Sequence, residues 1–255
     1  MSPNFNGKPP AIPPGSTVLV TGANGFIGSH VADQLIQAGY LVRGTSRDTS
    51  KTAWMTEMFE KKYGKGKFEA TVVRDMAEIG AFDEACKGVS GVAHVASVVS
   101  FDPDPNKVIP PVVDGAVNAA SSAAKQASIK RFVYTSSSTA ITAPKPNVEF
   151  TISTSDWNNE DVESAWKPPP YEAERAWATY GASKTQAEQE MWKFVKEHKP
   201  GFVLNTVLPN TNFGEILSEK QPASTGAWVK SIYNGNLDAV KGVPPQWSKL
   251  FLGVF

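Results

Sequence analysis

The stretch VTGANGFIGSHVADQLIQAG, residues 20–39, places three glycines between a β-branched run and an amphipathic run. Gly22, Gly25 and Gly28 follow a GxxGxxG pattern. Gly22 permits a tight turn, Gly25 lets backbone N–H groups approach an anion, and Gly28 lets the next helix pack closely on the strand. Glycines in this pattern can also serve packing alone. Their position between a strand and a helix favours a turn that binds the pyrophosphate of a dinucleotide.

The rest of the chain alternates short apolar runs with longer stretches of helical period. This alternation is typical of βαβ units, whose parallel sheet is buried on both faces. We therefore predict a doubly wound α/β Rossmann fold. The predicted strands are residues 17–20, 41–43, 68–73, 91–95, 131–135 and 202–208. The predicted helices are residues 27–38, 52–63, 82–87, 112–127 and 180–198. The proline-rich segment 143–170 is predicted to be an irregular excursion over the carboxyl edge of the sheet.

The composition of the whole chain excludes several kinds of partner. Among its 255 residues, 25 basic side chains balance 25 acidic ones, so no general field attracts nucleic acid or an anionic membrane. Cys86 stands alone and His30, His94 and His198 show no ligand spacing, which predicts no disulfide framework and no metal site. No apolar run approaches the ~18 residues of a membrane span. We expect a cytoplasmic protein whose residues 1–15 form a flexible leader without a signal peptide.

The second predicted strand indicates which dinucleotide the turn binds. The sequence LVRGTSRDTSK, residues 41–51, contains Arg43, Arg47 and Lys51, while its acid, Asp48, lies beyond the strand in the loop. A basic group at this strand end accommodates the 2′-phosphate of NADP, whereas an acid accepts the ribose hydroxyl of NAD. The sequence therefore favours NADP(H). The alternative is that Arg43 caps the strand end and Arg47 is only solvated.

The third predicted strand ends in VVRDM, residues 72–76. Asp75 is a candidate to accept a hydrogen bond from the adenine amino group, with Met76 against the adenine ring. The alternative is that Asp75 only forms a turn, because aspartate is common where strands end.

A tyrosine and a lysine lie one helical turn apart in YGASK, at Tyr180 and Lys184. The fifth predicted strand ends upstream in three serines, Ser136 to Ser138, at the carboxyl edge of the sheet. Carbonyl reduction needs a hydride, a proton for the alkoxide and a donor to the oxygen. We predict that Tyr180 transfers the proton, Lys184 lowers the pKa of the phenol and holds the nicotinamide ribose, and Ser137 donates to the substrate oxygen. The alternatives are a solvated helix face and hydrogen bonding at a strand end.

Seven segments together carry a family resemblance: TGANGFIGSH, RGTSR, VVRDM, VAHVASVVSF, KRFVYTSS, YGASKTQAE and LPN. Over about residues 16 to 246 the chain resembles the extended short-chain dehydrogenase/reductase superfamily, and within it the NADPH-dependent aldehyde and ketone reductases of the dihydroflavonol-reductase-like branch. The resemblance implies the catalytic set Ser137, Tyr180 and Lys184. It also implies a cofactor site lined by Gly22, Gly25, Phe26, Ile27, Arg43, Lys51, Asp75, Met76, Ala96 and Pro209.

The expected function is NADPH-dependent reduction of a small aldehyde or ketone. Val98, Val99, Phe101 and Trp228 are apolar candidates for the substrate side, with core packing as the alternative. A second hypothesis is an NADP(H)-binding or regulatory protein with impaired catalysis. A third is an NAD-dependent epimerase or dehydratase, which would need further acid–base groups and a sugar-nucleotide site. The superfamily commonly dimerises through the tyrosine helix, so a homodimer is a further expectation.

The resemblance stops near the end of the chain. The sequence follows the family to VPPQ, residues 243–246, and then ends in WSKLFLGVF, residues 247–255. Related reductases continue further and complete a substrate lobe. We therefore expect a cofactor-binding domain over residues 16–208 and an incomplete, C-terminally truncated substrate lobe over residues 209–255.

Overall fold

The computed structural model of the chain describes residues 9–145, 148–222 and 225–236. The expectations for residues 1–8 of the leader and for the terminal residues 247–255 lie outside these ranges. Part of the predicted leader is packed on the domain, because the side chain of Ile12 is buried against Val18 and Tyr40. The Tyr40 hydroxyl also donates to the carbonyl of Ile12 at 3.1 Å.

Six parallel strands form one sheet, which confirms the predicted doubly wound α/β fold. They are β1 (Thr17–Thr21), β2 (Leu41–Ser46), β3 (Phe68–Val72), β4 (Gly91–His94), β5 (Arg131–Thr135) and β6 (Val203–Val207). Their spatial order is β3-β2-β1-β4-β5-β6. The order reverses between β1 and β4, and such a reversal leaves a crevice at the carboxyl ends of the strands where ligands bind.

Helices cover both faces of the sheet. They are α1 (Phe26–Gln37), α2 (Ala53–Tyr63), α3 (Asp83–Cys86), α4 (Pro105–Ala124), α5 (Asn159–Ala165), α6 (Ala176–His198) and α7 (Gly226–Tyr233). One core cluster packs α4 and α6 on β5 through side chains that include Ala120, Phe132 and Met191. A second packs α1 and α2 on the first two strands, with Val42 and Phe59 among its buried members. Within the described ranges, no helix is long and apolar enough to cross a membrane.

Two sequence predictions about helices are wrong, and one helix was not predicted. Helix α4 begins at Pro105, seven residues before the predicted start, because Asp104 caps it through the backbone N–H of Asn106 and the helix continues through two internal prolines. The segment 143–170 is not wholly irregular, since it contains α5. Helix α7 was not predicted, and it lies in the region expected to hold only a partial lobe.

His94, at the end of β4, is a buried histidine that the fold keeps neutral. Its side chain is 1% exposed and its ring stacks on Tyr134, with ring centroids 5.9 Å apart. The Nδ1 atom lies 3.0 Å from the hydroxyl of Thr21. Burial, together with the nearby charge of Lys184, lowers the pKa of His94 to about 3. A histidine buried in this state opposes folding wherever the unfolded chain binds the proton and the folded chain does not.

We expect this histidine to make the free energy of unfolding depend on pH. Unfolded His94 takes up a proton below about pH 6.5, so the free energy of unfolding should fall by about 2 kcal/mol between pH 7 and pH 5. Urea unfolding at the two pH values measures the change. His94→Gln should remove most of this pH dependence, whereas His198→Gln should retain it. Equal pH dependence in the wild type and His94→Gln would contradict the assignment.

Candidate active site

The glycine turn joins β1 to α1 at the reversal point of the sheet. Gly22 has a φ of +61°, and a Cβ atom there would lie 3.0 Å from the Cα atom of Ala96. A Cβ atom on Gly28 would collide with the carbonyl oxygen of Gly22. These contacts explain why glycine is required at both positions, for conformation at one and for close packing at the other.

The start of α1 is available to an anion. Gly25 occupies the N-cap position, and among the residues that the structure describes no side chain caps this helix. Phe26 and Ile27 are its first two residues, and its first turn carries no acid. Their backbone N–H groups and the helix dipole suit an anion, and pyrophosphate binding at this turn stays a prediction.

Thr21, which the sequence analysis missed, fixes the turn to the neighbouring strand. Its hydroxyl oxygen accepts from the backbone N–H groups of Val95 and Ala96, both at 3.0 Å. Two accepted bonds fill the lone pairs of a hydroxyl, so its own proton goes to Nδ1 of His94. No local sequence signal identifies this contact, because its partners are more than seventy residues away.

Arg43 does not lie at the end of β2, and its predicted position is wrong. Its Nε atom donates to Glu69 at 3.1 Å, and its Nη1 atom donates to the carbonyl oxygens of Ala85 and Lys87 at 3.0 and 2.6 Å. The strand continues for three residues beyond Arg43, since they pair in register with β3. Arg43 therefore ties the middle of the sheet to the end of α3.

The residues that follow β2 are Arg47 and, one short turn later, Lys51, and both are exposed. Asp48 turns back on its own loop, where its carboxylate accepts from the backbone N–H of Ser50 at 2.9 Å. This hydrogen bond first, and then the charges of Lys51 and Arg74, hold the pKa of Asp48 below its usual range. The strand end thus presents two cations and an acid engaged in its own turn.

Asp75 makes the turn that was its structural alternative, and Met76 packs against the core. The Asp75 carboxylate accepts from the backbone N–H of Ala77 at 2.9 Å and so forms a turn. Met76 packs against the core, and a Cβ atom on Gly115 of α4 would lie 2.9 Å from the Met76 side chain. Their contacts with adenine remain predictions.

Ser137 follows β5 and lies beside the end of β6. Its Oγ atom accepts from the backbone N–H of Thr139 at 3.3 Å and from the Thr139 hydroxyl at 2.9 Å. The next residue, Ser138, donates its backbone N–H to the carbonyl of Pro209 at 3.0 Å. Ser136 is buried, and its Oγ atom has no hydrogen-bond partner among the described residues. Thr139 thus fixes the hydroxyl of Ser137, and the backbone of the next residue joins this turn to Pro209.

Tyr180 lies near the start of α6 in apolar surroundings. Its ring centroid is 5.3 Å from that of Phe101 and 6.2 Å from that of Trp177. Burial raises the pKa of Tyr180 above its ordinary value, and the side chain of Ser137 acts in the opposite direction. The prediction that this phenol has a lowered pKa is therefore wrong, because burial of the phenolate outweighs the stabilising contacts.

Lys184 is buried one turn after Tyr180. The side chain is 4% exposed, and its Nζ atom donates to the hydroxyl of Ser97 at 2.9 Å. Burial lowers the pKa of Lys184 to about 8. Ser97, which the sequence analysis missed, follows β4, so Lys184 links α6 to the same sheet edge as the glycine turn.

The apolar candidates divide between core and site. Val98 packs against the core, whereas Val99 and Phe101 are 65% and 46% exposed. Phe101 packs on Trp177 with centroids 4.7 Å apart, and the pair lies against Tyr180. Trp228 lies in α7, half buried. Trp177 is an addition to the predicted set, and its position three residues before Tyr180 was the available signal.

Sequence comparisons identify the family. The model of the NAD dependent epimerase/dehydratase family matches residues 18–242. The chain belongs to this family. Its sequence is 47% identical over 239 residues to aldehyde reductase 2 of Sporidiobolus salmonicolor, covering 92% of this chain and 69% of that protein. It is also 47% identical over 222 residues to the NAD-dependent epimerase/dehydratase terH of Aspergillus terreus, covering 87% of this chain and 65% of that protein.

Solved structures show the same family fold. The yeast methylglyoxal/isovaleraldehyde reductase Gre2 complexed with NADPH superposes with a TM-score of 0.71 at 29% identity, covering 86% of this chain and 66% of that one. The chain thus spans about two-thirds of the length of the epimerase/dehydratase relatives that it matches. The extended short-chain dehydrogenase/reductase resemblance is confirmed.

We expect the buried ammonium of Lys184 to lower the free energy of unfolding. Because burial disfavours the ammonium, Lys184→Met is expected to raise the free energy of unfolding at pH 7 by about 2 kcal/mol. The difference should shrink above about pH 8, where the folded wild type has released the lysine proton while the unfolded chain still holds it. Denaturant unfolding at pH 7 and pH 9.5 measures both effects. The exposed substitution Lys199→Met is the control, and a Lys184→Met protein less stable than wild type at pH 7 would contradict the account.

Proposed function

We propose that this chain reduces aldehydes or ketones to alcohols with NADPH as the hydride donor. The observation that supports this most directly is the meeting of three groups at one sheet edge. Ser137 follows β5, the pKa of Tyr180 responds to the side chain of Ser137, and Lys184 reaches Ser97, just after β4 and beside the glycine turn. The relatives include a protein named as an aldehyde reductase and a reductase solved with NADPH.

The residues present fit NADPH. The N–H groups of Phe26 and Ile27 suit the pyrophosphate, because no described side chain caps the start of α1. Arg47 and Lys51 suit the 2′-phosphate, with Asp48 held in its own turn. Lys184 suits the nicotinamide ribose. When bound, NADPH supplies the hydride for the carbonyl carbon.

The side chains provide the proton and the oxygen contacts. A phenol with a raised pKa keeps its proton at neutral pH, so Tyr180 serves as the general acid that protonates the developing alkoxide. Ser137 donates a hydrogen bond to the same oxygen. The ammonium of Lys184 adds positive charge that favours the phenolate left behind. Phe101 and Trp177 offer an apolar wall for the rest of the substrate.

Several finer statements remain predictions from the sequence. They are a homodimer built through α6, a cytoplasmic location, and a substrate lobe beginning at residue 209. A small carbonyl compound is the proposed substrate, and the wall of Phe101 and Trp177 favours one with an apolar substituent. An epimerase or dehydratase stays as the alternative within the family, and the activity test below separates it from a reductase.

The central activity test uses Tyr180. We expect the wild type to oxidise NADPH in the presence of activated ketones, and Tyr180→Phe to lower kcat/KM by about 100-fold or more, because the general acid is lost. The Kd for NADPH should stay within about twofold, since the phenol hydroxyl is only one of several cofactor contacts. Tyr233→Phe is the matched control, because Tyr233 is 90% exposed. Absence of turnover by the wild type, with NADPH bound, would favour a non-catalytic cofactor-binding protein.

The ratio of the affinities for NADPH and NADH tests whether Arg47, rather than Arg43, contacts the 2′-phosphate. Arg47→Ala should weaken NADPH binding by roughly 10-fold or more and leave NADH binding unchanged, because a charged pair to the 2′-phosphate is lost. Arg43→Ala should lower stability without changing the ratio of the two affinities. Nicotinamide fluorescence titrations measure both. The reverse pattern, with Arg43→Ala setting the ratio, would restore the role expected from the sequence.

A further inference from the structure

Asn158, immediately before α5, is a buried polar residue in a segment expected to be an irregular surface excursion. Its side chain is 3% exposed. The side-chain Nδ2 atom donates to the carbonyl of Thr139 at 2.8 Å, and its backbone N–H donates to the carbonyl of Ala140 at 3.0 Å. These two carbonyls belong to the short turn that directly follows Ser137. Asn158 therefore anchors the turn that follows Ser137 to the start of α5.

The same amide also connects to α6. The Oδ1 atom of Asn158 accepts from the backbone N–H of Asp161 at 3.2 Å, and Nδ2 donates to the Asp161 carboxylate at 2.7 Å. That carboxylate packs directly against Gly181, where any side chain would collide with it. Gly181 is the neighbour of Tyr180. One buried amide thus lies between the turn of Ser137 and the helix of Tyr180.

The turn controls what the hydroxyl of Ser137 can do. Its Oγ atom accepts two hydrogen bonds, one from the backbone N–H of Thr139 and one from the Thr139 hydroxyl. A serine hydroxyl has two acceptor positions and one proton. With both acceptor positions taken, Ser137 can act on a further partner only as a donor. A carbonyl oxygen or a tyrosine phenolate needs a donor.

We propose that Asn158 is a positioning residue of this site, which holds Thr139 so that Ser137 is kept as a hydrogen-bond donor toward Tyr180 and the substrate oxygen. The inference rests on the proposed reductase function for its kinetic consequence, but the donor state of Ser137 is a property of the protein alone. A helix cap needs only a side-chain oxygen, which serine supplies as well as asparagine. The two hydrogen bonds that the Nδ2 atom donates are not needed for capping.

Asn158→Ser separates the two roles, because it keeps an oxygen for the cap and removes the amide donor. If Asn158 positions Ser137, kcat for ketone reduction should fall by about 10-fold or more while KM for NADPH stays within about twofold. Glu163→Ala, an exposed substitution in α5, is the control for general effects on that helix. Unchanged kcat in Asn158→Ser would overturn the proposal.

A second readout does not depend on turnover. Incorporated 3-fluorotyrosine gives a ¹⁹F NMR signal for residue 180, assigned by its loss in Tyr180→Phe. When Ser137 is released, the phenolate loses a donor, so the pKa of residue 180 should rise by about half a unit to one unit in Asn158→Ser. Thr139→Val removes one donor to Ser137 without touching α5, so it should shift the titration in the same direction and serves if Asn158→Ser fails to fold.

The outcomes distinguish the two claims. A wild type that binds NADPH but reduces no ketone would refute the proposed function, while the fluorotyrosine titration would still decide the role of Asn158. Titrations that coincide in the wild type, Asn158→Ser and Thr139→Val would overturn the positioning role even if the reductase activity is found. A raised pKa in both variants, with Glu163→Ala unchanged, supports it.

Discussion

The close approach of Gly22 to Ala96 is the constraint on which the rest of the site depends. These residues end neighbouring strands at the point where the sheet order reverses, and a Cβ atom on Gly22 would come within 3.0 Å of Ala96. The Thr21 hydroxyl fixes the approach by accepting two backbone N–H bonds from the end of β4. The same edge then receives Lys184 through Ser97. The glycine turn and α6 are thereby both joined to one pair of strand ends.

The candidate site places ionisable side chains in a buried environment, where water cannot solvate their charged forms. Burial lowers the pKa of Lys184 to about 8 and that of His94 to about 3, and it raises the pKa of Tyr180. At neutral pH the buried ammonium of Lys184 costs folding free energy, whereas His94 and Tyr180 are largely uncharged in both the folded and the unfolded chain; the apolar clusters on both faces of the sheet offset this cost. For a reductase the cost is useful, because a protonated phenol beside a buried cation can release its proton as charge develops on the substrate oxygen.

The sequence was sufficient where patterns are local. Alternating apolar runs identified all six strands, and the glycine spacing identified the turn. The sequence was not sufficient where contacts between residues distant in the chain determine the position of a side chain. Arg43 was placed at a strand end because nothing local shows that β2 gains three more pairs with β3. The start of α4 was predicted seven residues too late, although Asp104 caps the helix and the helix continues through Pro110 and Pro111. Asn158 gave no signal for its contact with the serine turn, because Thr139 lies 19 residues earlier in the chain.

The fate of the hydride tests the account most directly. Wild-type protein would be incubated with NADPH deuterated at both C4 positions and a prochiral ketone, and the alcohol analysed by mass spectrometry and NMR. The account predicts one deuterium on the carbinol carbon of the product and a matching amount of NADP released. An epimerase or dehydratase would instead return the label to the cofactor or leave the carbonyl unreduced. Alcohol formed without deuterium on the carbinol carbon would contradict a direct reduction.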